Sequence, residues 1–345
     1  MRVSPPLTDV GIAAAVAWLP PGRSTRAEAI ASGRVDETTA ARLGYNALSA
    51  GDGHAPPELA VSAARTALAG AGCAAEQVNL VIHSWIYHQG HDFWSAPHYV
   101  AHQIGAVRAE PLGVMQTSNG AAAAIAVAAS RLVADTEIRR CVVTTADCFT
   151  APAFDRWTAD VDVAYGDSGT AIVLEDGPAA YRLLSVVSSS APQYEILYRG
   201  EDPFTPAPRW AHETISARRT KTAVAGDGFM HRFVAAGRRA VHHVITTVLA
   251  EAGLTPEDPR VRLLALPRIG AGALHQFWEP CLHELGLRHT ELLDLGRETG
   301  HLGAGDSIAN LADIIDHDRL GPGEVALLLC AGNGYTWSCM AVQRS

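Results

Sequence analysis

Two spacings of apolar residues alternate along the chain. Short runs in which nearly every position is apolar, at 78–84, 140–146, 261–266 and 324–330, have the length and density of strands buried on both faces. Between them, apolar residues recur three or four positions apart: Leu59, Val61, Ala64, Ala67 and Leu68, the alanines after Gly120, the segment 226–253, and Ile308, Leu311 and Ile315. These predict helices. Further strands are predicted at 10–16, at the end of the turn-and-strand segment 165–174, and at 183–189, with short helices at 26–33 and 36–43. Strands and helices in alternation predict an α/β fold.

The order of elements also repeats. Leu254-Thr255-Pro256-Glu257 leads into the run at 261–266 as Ala74-Ala75-Glu76 leads into the first buried run, and the run at 324–330 answers that at 140–146. A glycine-rich turn precedes the helix at 307–316 as Ser118 and Gly120 precede theirs. Matching order without matching letters predicts an internal pseudo-duplication into halves 1–178 and 179–345, with the two equivalent turns facing each other. No Pro/Ser-rich or charged linker divides the 345 residues, so the halves should pack tightly. Two stretches break the pattern. Segment 85–99 is rich in histidine and aromatic residues and reads as a pocket wall, with Trp85, His88, Phe93 and Trp94 lining the pocket of this chain or reaching into that of a partner subunit. Segment 193–224, with Pro203, Pro206 and Pro208, reads as a functional surface insertion.

Composition narrows the class. With 48% hydrophobic and 18% charged residues the chain is neither disordered nor a coiled coil, and a net charge of -9 argues against a general nucleic-acid binder. Six cysteines without any C-x-x-C pairing predict buried thiols rather than a zinc site or disulfides. His88, His91 and Asp92 lie close together, but on a loop without fixed geometry, so no metal is assigned. Met1-Arg2-Val3-Ser4-Pro5-Pro6 lacks an apolar signal core and no membrane-length apolar run follows, which predicts a cytoplasmic protein.

Ser118 is the candidate for chemistry. It stands between the extended segment 112–117 and a helix opening at Gly120, where unpaired N–H groups stabilise an anion. A serine hydroxyl is too weak an acid to act alone and needs a base in contact. His301 is the best placed of the 15 histidines, because Asp306 follows it across Gly303-Ala304-Gly305, a turn flexible enough to fold the carboxylate back onto the imidazole. The plain alternatives are that Ser118 and Asp306 cap their helices and that His301 is a loop residue. The turn at 331–337, Ala-Gly-Asn-Gly-Tyr-Thr-Trp, offers amides that complete an oxyanion hole with the Ser118 N–H, or else forms a simple hairpin. Gly270-Ala271-Gly272 and Gly303-Ala304-Gly305 lack the spacing of a dinucleotide fingerprint, so no nucleotide redox cofactor is indicated.

Taken together, Thr117-Ser118-Asn119-Gly120-Ala121-Ala122, Tyr165-Gly166-Asp167-Ser168-Gly169-Thr170-Ala171 and Gly332-Asn333-Gly334-Tyr335-Thr336-Trp337 resemble the ketosynthase III family of the thiolase fold. The resemblance spans nearly the whole chain. It implies a five-layered α-β-α-β-α fold, a homodimer, and a tunnel for the phosphopantetheine thioester of coenzyme A or an acyl carrier protein, with no resident cofactor. It also exposes departures: Ser118 stands where the family has cysteine, His301 where it has asparagine, and the usual histidine falls at about Arg268. Decarboxylative condensation is thereby put in doubt. What the resemblance still implies is acyl transfer through a Ser118 ester, with His301 as base, Asp306 as its orienter and Asn333 giving the second oxyanion amide. In this respect the chain is similar to ketosynthase III-like acyltransferases of antibiotic pathways and to the serine-bearing starter-unit protein of anthracycline biosynthesis. The acceptor is a carrier protein or a hydroxyl or amine of a small molecule. Arg218, Arg219 and Lys221, with Arg238 and Arg239, are either a contact for the carrier or coenzyme A or an ordinary solvated face. A condensing starter-unit ketosynthase and an inactive specificity partner are the alternatives.

Overall fold

The computed structural model describes residues 10–51, 53–226 and 228–345. The amino-terminal residues judged above to lack a signal core lie outside them. The first half contributes β1 (Val10–Trp18), β4 (Leu80–Ser84), β5 (Glu110–Val114), β6 (Arg140–Asp147) and β7 (Ser168–Asp176) to a large sheet, while β2 (Gly22–Thr25) and β3 (Ala47–Ala50) pair separately. The second half contributes β8 (Tyr181–Ser190), β9 (Val261–Ala265), β10 (Glu291–Leu293), β11 (Val325–Gly332) and β12 (Thr336–Arg344).

The order across the sheet is β10-β9-β11-β12-β8-β1-β7-β6-β4-β5. Outward from the junction, each half runs first strand, fifth, fourth, second, third. β4 pairs parallel with β5 and β6, as β9 does with β10 and β11, and the remaining neighbours are antiparallel in both halves. The repeat of pattern is thus a repeat of topology. Only two registered pairs, Gly11 with Arg182 and Ile12 with Tyr181, join the halves edge to edge.

Helices supply three further layers. Pro56–Gly70 and Ala96–Ile104 cover the outer face of the first half, and Phe229–Glu251 covers the outer face of the second. Between the halves lie Gly120–Ala134 and Asp306–Asp316, where Ala121, Ala124, Ile125 and Ala128 share one core with Ile308, Leu311 and Ile314 and with strand residues such as Ile82, Val143, Leu263 and Leu328. The alanine run suits this place, since small side chains let a helix pass between two sheets. The result is α-β-α-β-α. All six cysteines are buried and free, and among the described residues no helix is long and apolar enough to cross a membrane.

Candidate active site

Ser118 is set by a backbone turn that needs close contact on two sides. After β5 the chain makes a 3-10 turn over Thr117–Asn119 and enters the helix Gly120–Ala134. Thr117 has φ +49, the left-handed region that a β-branched residue rarely occupies, and its Oγ1 donates to the Asn333 carbonyl at 3.2 Å. Gly332 makes this approach possible, because a Cβ there would lie 2.7 Å from Asn119 N, Gln116 O and Thr117 Oγ1. The carboxyl-terminal turn and the serine turn are therefore pressed together, and Ser118 is buried between them.

His301 is carried by the other half and held by the Tyr165–Ala171 motif. Gly166 N donates to His301 O at 2.9 Å, and His301 N donates to Ala164 O at 2.9 Å. A Cβ on Gly166 would lie 1.9 Å from Thr299 O, so only glycine admits the segment that carries the imidazole. Next to it, Asp167 receives both guanidinium arms of Arg156 at 3.1 Å and the amides of Phe149 and Gly51 at 2.7 Å. The sequence motif is thus a clamp for His301.

The three side chains form one buried chain of hydrogen bonds. His301 Nε2 lies 2.7 Å from Ser118 Oγ, and His301 Nδ1 lies 2.7 Å from Asp306 Oδ2. Asp306 is the first residue of its helix, and Gly305 holds the cap position. Instead of capping, its carboxylate takes the Leu302 amide on Oδ1 at 2.8 Å and the Arg268 amide on Oδ2 at 2.9 Å. Burial alone would raise the pKa of Asp306, but the His301 charge and hydrogen bond, the Arg268 charge and the Leu302 amide outweigh it, holding the carboxyl below its usual range.

Two neighbours complete the site: Asp147, which had no signal in the sequence pattern, and Arg268, which the resemblance marked only as a departure. Asp147, at the end of β6, accepts the amides of Ile86 and Tyr87 at 2.9 Å and of Ala304 at 3.2 Å, directly beneath the turn that joins His301 to Asp306. Burial pushes its carboxyl up to about 7. Arg268, in the position where the resemblance expects a histidine, sends its guanidinium to Asn310 Oδ1 at 2.8 Å, to Thr299 Oγ1 at 2.9 Å and to Asp313. It is 2% exposed and does not line the space in front of Ser118. It braces the His301 segment against the central helix.

That space is a cavity of about 380 Å³, within the usual size range of ligand sites. Ser118, His301 and Asn333 line one end, and Tyr165, Tyr198, Phe233, Phe277, Trp278, Tyr335 and Trp337 give it aromatic walls. The predicted wall residues are elsewhere. Trp85 stacks on His83 with centroids 5.5 Å apart, His88 faces a separate groove, Phe93 is fully exposed, and Trp94 packs against His91 and Tyr99. The stretch 85–99 follows β4, Trp85 packing over Gly113 of β5, and none of its residues lines this chain's cavity.

The basic cluster is also dispersed. Lys221 is not a surface contact: it lines the cavity and pairs with buried Asp160 at 2.6 Å. Arg218 donates to the carbonyls of Thr158 and Asp160, and Arg219 pairs with Asp202 at 2.9 Å. A helical run of three cations points in three directions, so each finds a different partner. Arg238 and Arg239 remain exposed, Arg238 within 3.8 Å of Glu284.

Residues 249–344 match the family model of the 3-oxoacyl-[acyl-carrier-protein] synthase III C-terminal region. Over 303 residues the chain is 27% identical to the β-ketoacyl-[acyl-carrier-protein] synthase III of Rhodospirillum centenum, covering 85% of each. The solved structure of ChlB3, described as an acyltransferase, superposes with a TM-score of 0.85 at 26% identity, over 97% of this chain and 98% of its own. The chain has the thiolase fold of these proteins, and its carboxyl-terminal part is similar to the synthase III family. The priming β-ketosynthase of the R1128 polyketide biosynthetic pathway shares that fold, with a TM-score of 0.75 and 17% identity over 99% of this chain and 98% of its own. In this chain the group that the serine turn presents to the cavity is a hydroxyl, that of Ser118. Cys330, near Ser118 in the fold, is bonded to Asn119 Oδ1 at 3.2 Å, and burial pushes its thiol far above the normal range.

Proposed function

We propose that the protein is an acyltransferase that works as a cytoplasmic homodimer and carries the acyl group on Ser118. The donor is the phosphopantetheine thioester of coenzyme A or an acyl carrier protein, which enters as substrate. No resident cofactor is required. The observation that carries this reading is the unbroken 2.7 Å path from Ser118 Oγ through His301 to Asp306 at the end of a cavity. His301 Nε2 takes the Ser118 proton as Oγ attacks the thioester carbonyl. The C–S bond breaks, and the thiolate leaves with that proton. An acceptor hydroxyl, amine or thiol then gives its proton to His301, attacks the ester carbonyl, and Ser118 regains the proton. The amides of Ser118 and Asn333 are assigned to the oxyanion. A serine ester is less activated than a thioester, which favours a hydroxyl or amine as acceptor over return to a thiol.

Incubation with a panel of acyl-coenzyme A and acyl-carrier thioesters, followed by intact-mass and peptide mass spectrometry, should place one acyl mass on the Ser118 peptide. Ser118→Ala should abolish the adduct and lower transfer by about three or more orders of magnitude. No adduct with any donor would defeat the scheme. The second reading, a starter-unit ketosynthase, is supported by the synthase III relatives. Against it stands the cavity lining, where His301 is the single imidazole and Arg268 is absent. Carbon dioxide released from malonyl-carrier protein would favour that reading, and Ser118→Ala leaving pathway output unchanged would favour an inactive specificity partner.

A further inference from the structure

The cavity holds a polar group that acyl transfer does not use. Lys221, the only lysine in the sequence, reaches the cavity wall from the helix Ala217–Val224, with its side chain 16% exposed. Its ammonium donates to Asp160 Oδ1 at 2.6 Å and lies 4.7 Å from the centroid of the Tyr198 ring. Asp160 is fully buried and serves as a hub. Oδ1 also accepts the amides of Val161 and Asp162 at 2.5 and 3.2 Å, and Oδ2 accepts the hydroxyls of Tyr165 and Tyr198 at 3.3 and 3.4 Å. One carboxylate thus holds a cation and two phenols, and all three residues line the same cavity as Ser118.

Packing alone gives little reason for this pair. A buried ion pair is often no better for stability than hydrocarbon of the same volume, because desolvation cancels the attraction. An ammonium has three donors; Asp160 Oδ1 takes one and the face of Tyr198 flanks the ammonium, and because Lys221 lines the cavity a further donor is available to a ligand there. Phe233, Phe277, Trp278 and Trp337 line the same cavity and offer no acceptor oxygen on their side chains, and among the described residues no hydrogen bond joins Lys221 to Asp162, Gln276 or Asn333, which line it too. Charge then narrows the ligand. Lys221 is neutralised by Asp160, and Asp162, which also lines the cavity, is neutralised by Arg42 at 3.0 Å, so a carboxylate would meet no net positive field, whereas a neutral oxygen needs only a donor.

We propose that Lys221 is a specificity-determining residue, selecting for Ser118 an acyl group that bears an uncharged acceptor oxygen, a hydroxyl or carbonyl, away from its thioester carbon. The proposal rests on the acyl-transfer reading of this cavity, so its test uses binding, which does not need the reaction. Full-length Ser118→Ala protein is titrated in a calorimeter with hexanoyl-coenzyme A, its 3-hydroxy, 5-hydroxy and 5-oxo counterparts, and adipyl-coenzyme A. At least one hydroxy or oxo probe should bind about tenfold tighter than hexanoyl, one good hydrogen bond to a charged donor. Adding Lys221→Met should bring that ratio to about one, and Lys221→Arg should keep part of it. Because Lys221→Met strands a buried carboxylate, the paired change Asp160→Asn with Lys221→Met is measured alongside, and a ratio taken within each variant cancels losses from folding. Equal binding of all probes, a preference that survives without the ammonium, or a preference for adipyl overturns the proposal. Absence of a Ser118 adduct in the wild-type protein would instead remove the acyl-transfer scheme, leaving these ratios to judge Lys221.

Discussion

A serine at a helix start does not ionise by itself, so the behaviour of Ser118 is decided by the orientation of one imidazole. Asp306 sets that orientation. Its two oxygens already hold the Leu302 and Arg268 amides, which fixes the carboxylate and presents Oδ2 to His301 Nδ1. The proton therefore belongs on Nδ1, and Nε2 is bare toward Ser118 Oγ. Asp306→Asn keeps the shape but places an NH₂ among donors, so the ring turns or takes the other tautomer. The expected loss in acyl-transfer rate is about 10³- to 10⁴-fold with the circular dichroism unchanged. A loss under tenfold would remove Asp306 from the mechanism. That Ser118, His301 and Asp306 could meet was legible from the two turns that carry them, but capping and loop roles stayed open until the hydrogen bonds among the three were seen. That Lys221 lines the cavity was not legible, because a basic run on a helix says nothing about which of its members turns inward.

Between elements, the decisive contacts are made by glycines whose partners lie far away in sequence. Gly332 lets the β11–β12 turn reach the serine turn, and Gly166 lets the end of one loop receive the His301 segment. In Gly166→Ala the new methyl carbon would lie 1.9 Å from Thr299 O, so the segment carrying His301 must move. Overpacking of this kind costs about 1–3 kcal/mol. Urea unfolding should show that loss, and acyl transfer should fall by more than the folded fraction accounts for, since the Ser118 to His301 distance is what the clamp maintains. Stability and activity both within error of wild type would show that the contact does not matter. The glycine motifs were readable as turns. Their partners were not, because Thr299 and Gly166 meet only after both halves have folded. The helix Ala96–Ile104 and the three-residue β10 escaped notice for a simpler reason: one follows an irregular aromatic stretch, and the other is too short for its spacing to show.

Two buried titratable groups in the first half give the whole molecule an opposed response to pH. Asp147 is raised to about 7 by burial, against about 3.9 in the unfolded chain. Between those values the folded state binds more protons, so this group's contribution to stability is full below about pH 4 and lost as pH rises to 7. His83, enclosed between Thr144 and Gln89, is lowered by burial to about 4, against about 6.5 when unfolded. Here the unfolded state binds more protons, so stability is present above about pH 6.5 and lost as pH falls towards 4. The two slopes largely cancel in the wild-type protein. Asp147→Asn removes one of them, and urea midpoints between pH 5 and 6.5 should then rise with pH more steeply, by up to about 1.4 kcal/mol per pH unit. Parallel curves for the two proteins would exclude Asp147 as a titrating group in this range.

Local pattern was enough for the α/β class and the pseudo-duplication, while the five layers followed from the resemblance carried by three motifs. Apolar runs and helical spacing depend on neighbours a few residues apart, and repeating their order twice already implied two equivalent turns meeting at a centre. Long-range packing was needed for everything that depends on which side chain faces which: that Arg268 braces a loop, that Trp85, His88, Phe93 and Trp94 stay outside the cavity, and that Lys221 enters it. A residue's periodicity records whether it is buried, while its partner is chosen by contacts that link Lys221 to Asp160 and Ser118 to His301 across 61 and 183 positions of chain.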